Sequence, residues 1–176
     1  MEELVVLLDE SGAPIGQTAK ATVHTTDTAL HLAFSCHVFN ERGQILVTRR
    51  ALDKKTWPGV WTNSFCGHPG PGEDSVAALH RRAERELGMT VTDVREAIPD
   101  FRYRAVDASG IVENEICPVY IARASSEPNP AADEVAEHYW ADALELLAAV
   151  TATPWAFSPW LTLQLPELAA RGFLQA

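Results

Sequence analysis

The chain of 176 residues contains no apolar run near the ~20 residues that cross a bilayer, which excludes a helical membrane span. It is short of positive charge: 14 Lys and Arg stand against 24 Asp and Glu, a net −10. That balance disfavours a general nucleic-acid or anionic-membrane binder, so an anionic ligand would need a local basic pocket. Cysteine is scarce and odd in number: Cys36, Cys66 and Cys117 show neither zinc-ribbon spacing nor a disulfide framework. The N-terminus, MEELVVLLDE, has neither the basic region nor the small-residue cleavage site of a signal peptide. A reducing, cytoplasmic setting is expected. No internal repeat and no long linker divide residues 1–176, so one domain with a substantial core is expected, by default a monomer.

The most informative stretch is 63–88, NSFCGHPGPGEDSVAALHRRAERELG. A strand-like run over 60–65 leads to Cys66 and His68, which flank Gly67. Pro69, Gly70, Pro71 and Gly72 break any helix or central strand. Glu73, Asp74 and Ser75 suit a helix start, and Gly88 suits the left-handed residue past its end. Between them Val76, Leu79, Ala83 and Leu87 recur every three or four residues, the stripe of an amphipathic helix. Arg82 and Glu86, one turn apart, flank the stripe at the rim of the core. Arg81, Glu84 and Arg85 point to solvent. A thiol, an imidazole, a guanidinium and a carboxylate thus approach one place. A capped surface helix with an incidental cysteine satisfies the same spacing.

Upstream, 4–8 and the turn at Asp9–Gly12 read as a strand entering a hairpin. Lys20 and His24 lie in a polar, Thr-rich segment. Next, Leu32, Phe34, Cys36 and Val38 alternate with His31, Ala33, Ser35 and His37, the pattern of a strand with two distinct faces. Arg49, Arg50, Lys54 and Lys55 form a basic cluster, either a solvated face or a phosphate grip beside the Cys66 loop. Downstream, 101–105 and 111–122 read as a second hairpin, on which Glu113, Glu115 and Cys117 share one face. Carboxylates at that spacing stand roughly 6–7 Å apart. Side by side they call for a cation; a solvated sheet face is the alternative. Residues 137–140 read as a strand, and Asp142 caps a helix. Ser158 and Pro159 open a terminal helix that Pro166 should kink or divide. Trp155, Phe157 and Trp160 form an aromatic cluster, and packing accounts for the first two.

Gly67, Glu73, Arg81, Glu86, Gly88 and Met89 fall in register with the Nudix box, while Arg82 and Arg85 occupy two of its glutamate positions. A hydrolytic box gathers divalent cations with those carboxylates, so the stretch resembles the Nudix fold but argues against Nudix hydrolysis. The blocks HLAFSCHVFN, LVTRRALDKKTWPGVWTNSFCGHP, PDFRYRA, SGIVENEICPV and TPWAFSPW resemble, in order, those of type 1 isopentenyl-diphosphate isomerases. The resemblance implies a mixed α/β (α+β) Nudix-type fold, with mixed β-sheets packed with helices. It implies conversion of the small molecule isopentenyl diphosphate to dimethylallyl diphosphate, with no nucleic acid or membrane as partner.

Residue by residue, the same resemblance implies that His24, His31, His68, Glu113 and Glu115 ligate one divalent metal, Mn2+, Zn2+ or Mg2+. Glu86, with the Cys66 carbonyl, matches the holder of a Mg2+ that bridges to the diphosphate. Lys20, Arg50, Lys54 and Arg82 match the positions that grip the diphosphate. Cys66 and Glu115 match the acid/base pair, in either order. Tyr103 matches the group bonded to Glu115, and Trp160 the indole that stabilises a tertiary carbocation. His37, His80 and His138 match no ligand position and are taken as structural. Two rival expectations are a Nudix hydrolase of a nucleoside diphosphate derivative and a non-catalytic ligand-binding module of the same fold.

Overall fold

The computed structural model of the chain describes residues 3–174. The N-terminal hairpin forms as expected from β1 (Leu4–Leu8) and β2 (Pro14–Ala19), followed by the single turn α1 (Lys20–Val23). Then come β3 (His31–Leu32), β4 (Phe34–Phe39), β5 (Ile45–Arg50), β6 (Trp61–Thr62), β7 (Phe65–Gly67) and α2 (Ser75–Leu87). They are followed by β8 (Val91–Ile98), β9 (Arg102–Val106), β10 (Val112–Ile116), β11 (Val119–Ala124) and β12 (Val135–Ala141). The chain ends in α3 (Ala143–Ala152), a 3-10 turn (Pro154–Ala156) and α4 (Pro159–Ala170).

Two adjacent parallel strands that bend together organise these elements. The smaller sheet runs β2-β1-β3-β10-β9, and the larger runs β12-β5-β4-β11-β8 with β6 on β5 and β7 on β4. In the first, Glu115 lies beside His31; in the second, Val119 lies beside Ser35. The chain passes from one sheet to the other at Ala33 and again, alongside, at Cys117–Pro118. The hairpin expected through residue 122 therefore ends at Ile116. Pro118 has no N–H with which to continue the ladder. The Cys117 N–H turns instead to the Phe101 carbonyl at 2.8 Å.

The larger sheet is covered on both faces. Leu79, Ala83 and Leu87 of α2 pack with Phe34, Cys36, Val38 and Leu46. Leu161, Leu165 and Leu168 of α4 pack on the other side with Ile45, Val47 and Ile121. All six residues of β4 are buried, so the alternation read from the sequence separates two interior faces. Ser35 and His37 consequently need partners inside the protein.

The boundaries of α2 follow its sequence. The Asp74 carboxylate accepts from the Val76 and Ala77 N–H groups, and Gly88 has φ 56. A Cβ at Gly88 would lie 2.3 Å from the Asn129 carbonyl oxygen, which only glycine avoids. Val76 leaves the expected stripe: it sits in the first turn and is 37% exposed, and burial begins at Ala78.

The run expected over 60–65 divides into β6 and β7. Between them the buried Asn63 and Ser64 use side chains where a ladder would use backbone. Asn63 Nδ2 donates to the Cys36 and Phe65 carbonyls, Ser64 Oγ donates to the Leu46 carbonyl, and the Val38 N–H donates to Ser64 Oγ. Pro166 does not divide α4, which runs unbroken through it. The proline lies on the exposed side, where a missing N–H costs least. Trp155 does not pack: it is 80% exposed, while Phe157 is half-buried against the core.

Candidate active site

A cavity of about 550 Å³ is bordered by Lys20, His24, Arg50, Lys54, Cys66, His68, Arg82, Glu86, Tyr103, Glu113, Glu115 and Trp160, among others. Of the residues to which the isomerase resemblance gives a site role, His31 alone lies off its wall, fully buried behind it.

At one end, ring and carboxylate atoms crowd together. Single ligand atoms of His24, His31, His68 and Glu115 all lie within 4.8 Å of one another. β10 supplies Glu115, β3 supplies His31, and the segments just past α1 and β7 supply His24 and His68. The His24 Nε2 atom is 3.0 Å from Glu113 Oε2, and His31 Nε2 is 3.3 Å from Glu115 Oε1. Neither nitrogen has a hydrogen-bond partner, and His68 Nδ1 has none either. Buried nitrogens that face carboxylates without hydrogen-bond alignment converge on a shared point, as ligands of one cation do. Imidazole nitrogen with carboxylate oxygen is the donor set of a divalent transition ion, so these residues fit a metal. Glu113 is held by the Thr56 hydroxyl at 2.7 Å, and Glu115 by Tyr103 at 3.0 Å and His68 Nε2 at 3.0 Å.

Burial alone would raise the Glu115 carboxyl; the close His31 imidazole and the hydrogen bond from His68 outweigh that and hold it well below the usual range. Burial works against a charged imidazole at both histidines. At His31 the close contact with the Glu115 carboxylate and its charge win and the group is raised; at His68 burial wins and it is lowered. Tyr103 is pushed well up, first by burial and then by the Glu115 charge.

Gly67 brings the next group into place. A Cβ there would lie 2.7 Å from both Arg82 Cγ and Phe34 Cζ, so β7 meets α2 only without a side chain. Arg81, expected in solvent, is exposed but not idle. It forms a two-pronged pair with Glu73 at 2.8 Å and reaches the His68 carbonyl at 3.4 Å, tying down the loop between them. The Cys66 thiol donates to Asn63 Oδ1 at 3.3 Å. Burial pushes that thiol up to about 12. Asn63 Oδ1 also accepts from Trp160 Nε1 at 2.9 Å and Thr62 Oγ1 at 2.9 Å, so one atom fixes both thiol and indole. The Trp160 ring packs against Tyr103 and Trp57 with centroids 5.7 and 5.4 Å away, and the Arg50 guanidinium lies 5.5 Å from its centroid.

The other end is cationic. Arg82, buried, pairs with Glu86 and is 3.4 Å from Glu134, which Lys54 also engages. Lys20 pairs with Glu3 at 2.7 Å, and Arg50 donates to the Thr56 and Trp57 carbonyls. Burial raises the Glu86 carboxyl, more than the Arg82 charge lowers it.

The NUDIX domain family matches residues 29–161. The isopentenyl-diphosphate Delta-isomerase of Clavibacter sepedonicus is 66% identical over 166 residues, covering 94% of this chain and 87% of that protein. The enzyme of the same name from Klebsiella pneumoniae is 56% identical over 169 residues, covering 96% and 92%. The chain belongs to the isopentenyl-diphosphate Delta-isomerase family. Among solved structures, a Deinococcus radiodurans protein superposes with a TM-score of 0.72 at 20% identity, covering 93% of this chain and 98% of that one. A MutT NUDIX hydrolase from Burkholderia pseudomallei gives 0.60 at 21% identity, covering 79% and 98%. These two show the Nudix fold. In this isomerase-family chain the box position of Arg82 no longer offers a carboxylate; it carries a buried guanidinium that neutralises Glu86.

Two residues of this site, Asn63 and Glu134, carry no role in the sequence. The spacing places Asn63 in a strand-like run and assigns Glu134 to no element. A polar side chain between two apolar runs was the only local signal for Asn63. Glu134 gave none, because its cations lie far away in sequence, at Lys54 and Arg82. His80 and His138 are exposed and take no part.

Proposed function

We propose that this protein interconverts isopentenyl and dimethylallyl diphosphate by protonation and deprotonation of the allylic unit, with Cys66 and Glu115 as the acid/base pair. The observation that carries this reading is that a protonated thiol and an ionised carboxylate, from different sheets, border one cavity with the Trp160 indole. An unactivated alkene is a poor base, so protonation at its terminal carbon leaves a tertiary cation. Loss of a proton from the neighbouring carbon completes the shift of the double bond. Cys66 and Glu115 exchange these two tasks between the forward and reverse directions. Tyr103 orients Glu115 through its hydroxyl. Trp160, already polarised by a guanidinium over its ring, faces the cation. Tyr103 and Trp160 line the cavity and keep water from it, with Trp57 packed against Trp160.

His24, His31, His68, Glu113 and Glu115 would hold Mn2+, Zn2+ or Mg2+, and Glu86 with the Cys66 carbonyl would hold Mg2+. When bound, these ions supply positive charge that tunes Glu115 and helps neutralise the diphosphate. Lys20, Arg50, Lys54 and Arg82 orient the diphosphate, with Arg82 offering a planar fork to phosphate oxygens. The reading takes the chain as a monomer acting as a single domain on a small-molecule substrate, with neither nucleic acid nor membrane as partner. A working Cys66 thiol must stay reduced, which fits a cytoplasmic setting.

The test uses isopentenyl diphosphate, Mg2+ and a trace of Mn2+ in D2O, followed by NMR. Dimethylallyl diphosphate carrying deuterium in a methyl group, with its diphosphate intact, is the expected product. Release of inorganic phosphate without an allylic product would support a Nudix hydrolase instead. Unchanged substrate would support a binding module.

A further inference from the structure

A buried row of hydrogen bonds ends on Cys66 and has no part in the reading above. His37 on β4 and Gln164 on α4 are both fully buried, and His37 Nε2 lies 3.0 Å from Gln164 Oε1. Gln164 Nε2 donates to Ser35 Oγ at 2.9 Å. The Ser35 hydroxyl, also fully buried, lies 3.3 Å from Cys66 Sγ and 3.4 Å from Cys117 Sγ.

The direction of each bond follows from what each atom can do. An amide oxygen only accepts, so His37 donates from Nε2 and leaves Nδ1 a bare lone pair without a partner. Turning the amide round would put the proton on Nδ1 and leave a buried N–H unsatisfied, the costlier choice. Burial lowers His37 to about 4, so the ring is neutral. One lone pair of Ser35 is filled by the Gln164 N–H and the other can accept from the Cys117 thiol; because the Cys66 proton goes to Asn63, the Ser35–Cys66 contact needs the serine O–H as its donor. On the far side of Cys66, Asn63 Oδ1 accepts the thiol proton. The sulfur therefore has an acceptor for its proton on one side and a donor on the other.

Building on the proposed function, we infer that Ser35 is a further catalytic residue and that Gln164, fixed by His37, is its positioning residue. In either direction of isomerisation Cys66 passes between thiol and thiolate: the S–H bond breaks as the C–H bond forms, and the reverse. Asn63 serves the thiol and can give the thiolate no proton. Ser35 serves the thiolate, and it does so only while Gln164 and His37 hold its hydroxyl in that direction.

The test measures kcat and KM for the wild type, Ser35→Ala, Ser35→Thr, Gln164→Leu and the double variant Ser35→Ala/Gln164→Leu, each with both ions present. Loss of one hydrogen bond to a charged group should lower kcat of Ser35→Ala about 10- to 100-fold with KM changed by no more than about twofold. Ser35→Thr, which keeps the hydroxyl, should recover most of that loss. Gln164→Leu should lower kcat alone, and in the Ser35→Ala background it should lower kcat no further, because it acts through the serine. If Gln164→Leu does not fold, His37→Phe in the same cycle asks the same question. Normal kcat in Ser35→Ala, a loss confined to KM, or losses that multiply in the double variant would each overturn the inference. A wild type that makes no allylic product would instead overturn the isomerase reading on which it rests.

Discussion

The two ends of the cavity are both charged, yet they are built in opposite ways. At the imidazole end, His24 Nε2 faces Glu113 and His31 Nε2 faces Glu115, both without a hydrogen-bond partner, and His68 Nδ1 has none either, while its Nε2 bonds Glu115. At the other end Lys20, Lys54 and Arg82 each have a carboxylate in hand, and Arg50 has backbone carbonyls. The first end has acceptors to spare and is ready for a cation. The second has its charges paired, although Arg82 Nε is buried without a hydrogen-bond partner, so an incoming anion would exchange carboxylate partners there and also meet one open donor. A positive group held by a carboxylate is therefore no less a candidate for anion binding than a free one, and unpartnered imidazole nitrogens beside carboxylates mark where a metal would fit.

The largest expected effect comes from removing the carboxylate that both chemistry and metal use. Glu115→Gln should cut turnover by about 10²–10⁴, the range for losing an acid/base group. Elemental analysis should also show less tightly bound transition metal, because the amide is a poorer ligand. Full metal content would uncouple the two roles. Next, Arg82→Met should raise KM and cost stability, because it leaves Glu86 without its buried partner. Breaking such a pair costs about 3–5 kcal/mol, readable by urea denaturation. A stability change near zero would mean that the cationic end is not neutralised as described.

One group at each end, Glu134 and His31, should also fade in opposite directions with pH in the metal-free protein. Glu134 is raised by burial, but the Lys54 hydrogen bond and the Lys54 and Arg82 charges leave it below its ordinary 4.5. Its contribution is present above pH 4.5 and is lost as pH falls through its folded value. His31 is raised above its ordinary 6.5, so its contribution is present below pH 6.5 and is lost as pH rises through its folded value. Urea midpoints against pH should therefore decline on both flanks. Glu134→Gln should reduce only the acid decline, and saturating Mn2+ only the neutral one, because a coordinated imidazole is already deprotonated. Identical flanks in all three samples would erase the contrast. The smallest effect should be that of Trp155→Ser, within about 0.5 kcal/mol and with unchanged turnover, as for an exposed side chain away from both ends.

Local patterns carried much of this architecture. Asp74 and Gly88 bounded α2 because a cap and a left-handed residue are decided within a few positions. Glu113 and Glu115 shared a face because strand alternation is local too. Their burial, and the crossing from β10 to β11, were not legible, because the apolar pattern continues through Cys117 and only the second sheet reveals the break. Asn63, Glu134, Ser35 and Gln164 escaped for the same reason: each takes its role from a partner far along the chain. The resemblance to isomerase blocks supplied residue roles that spacing left open, and all the residues it named lie on the cavity except His31, just behind it.

The crossing at Cys117–Pro118 also bears on folding kinetics. Cys66 rides on β7 of the larger sheet and Glu115 on β10 of the smaller one, and each sheet can form its own ladders without the other. Turnover needs both. In a refolding experiment, recovery of activity would therefore time the docking of one sheet on the other, while far-ultraviolet signals would time only the appearance of strands and helices. The lag between them would be a clock for the last step of assembly.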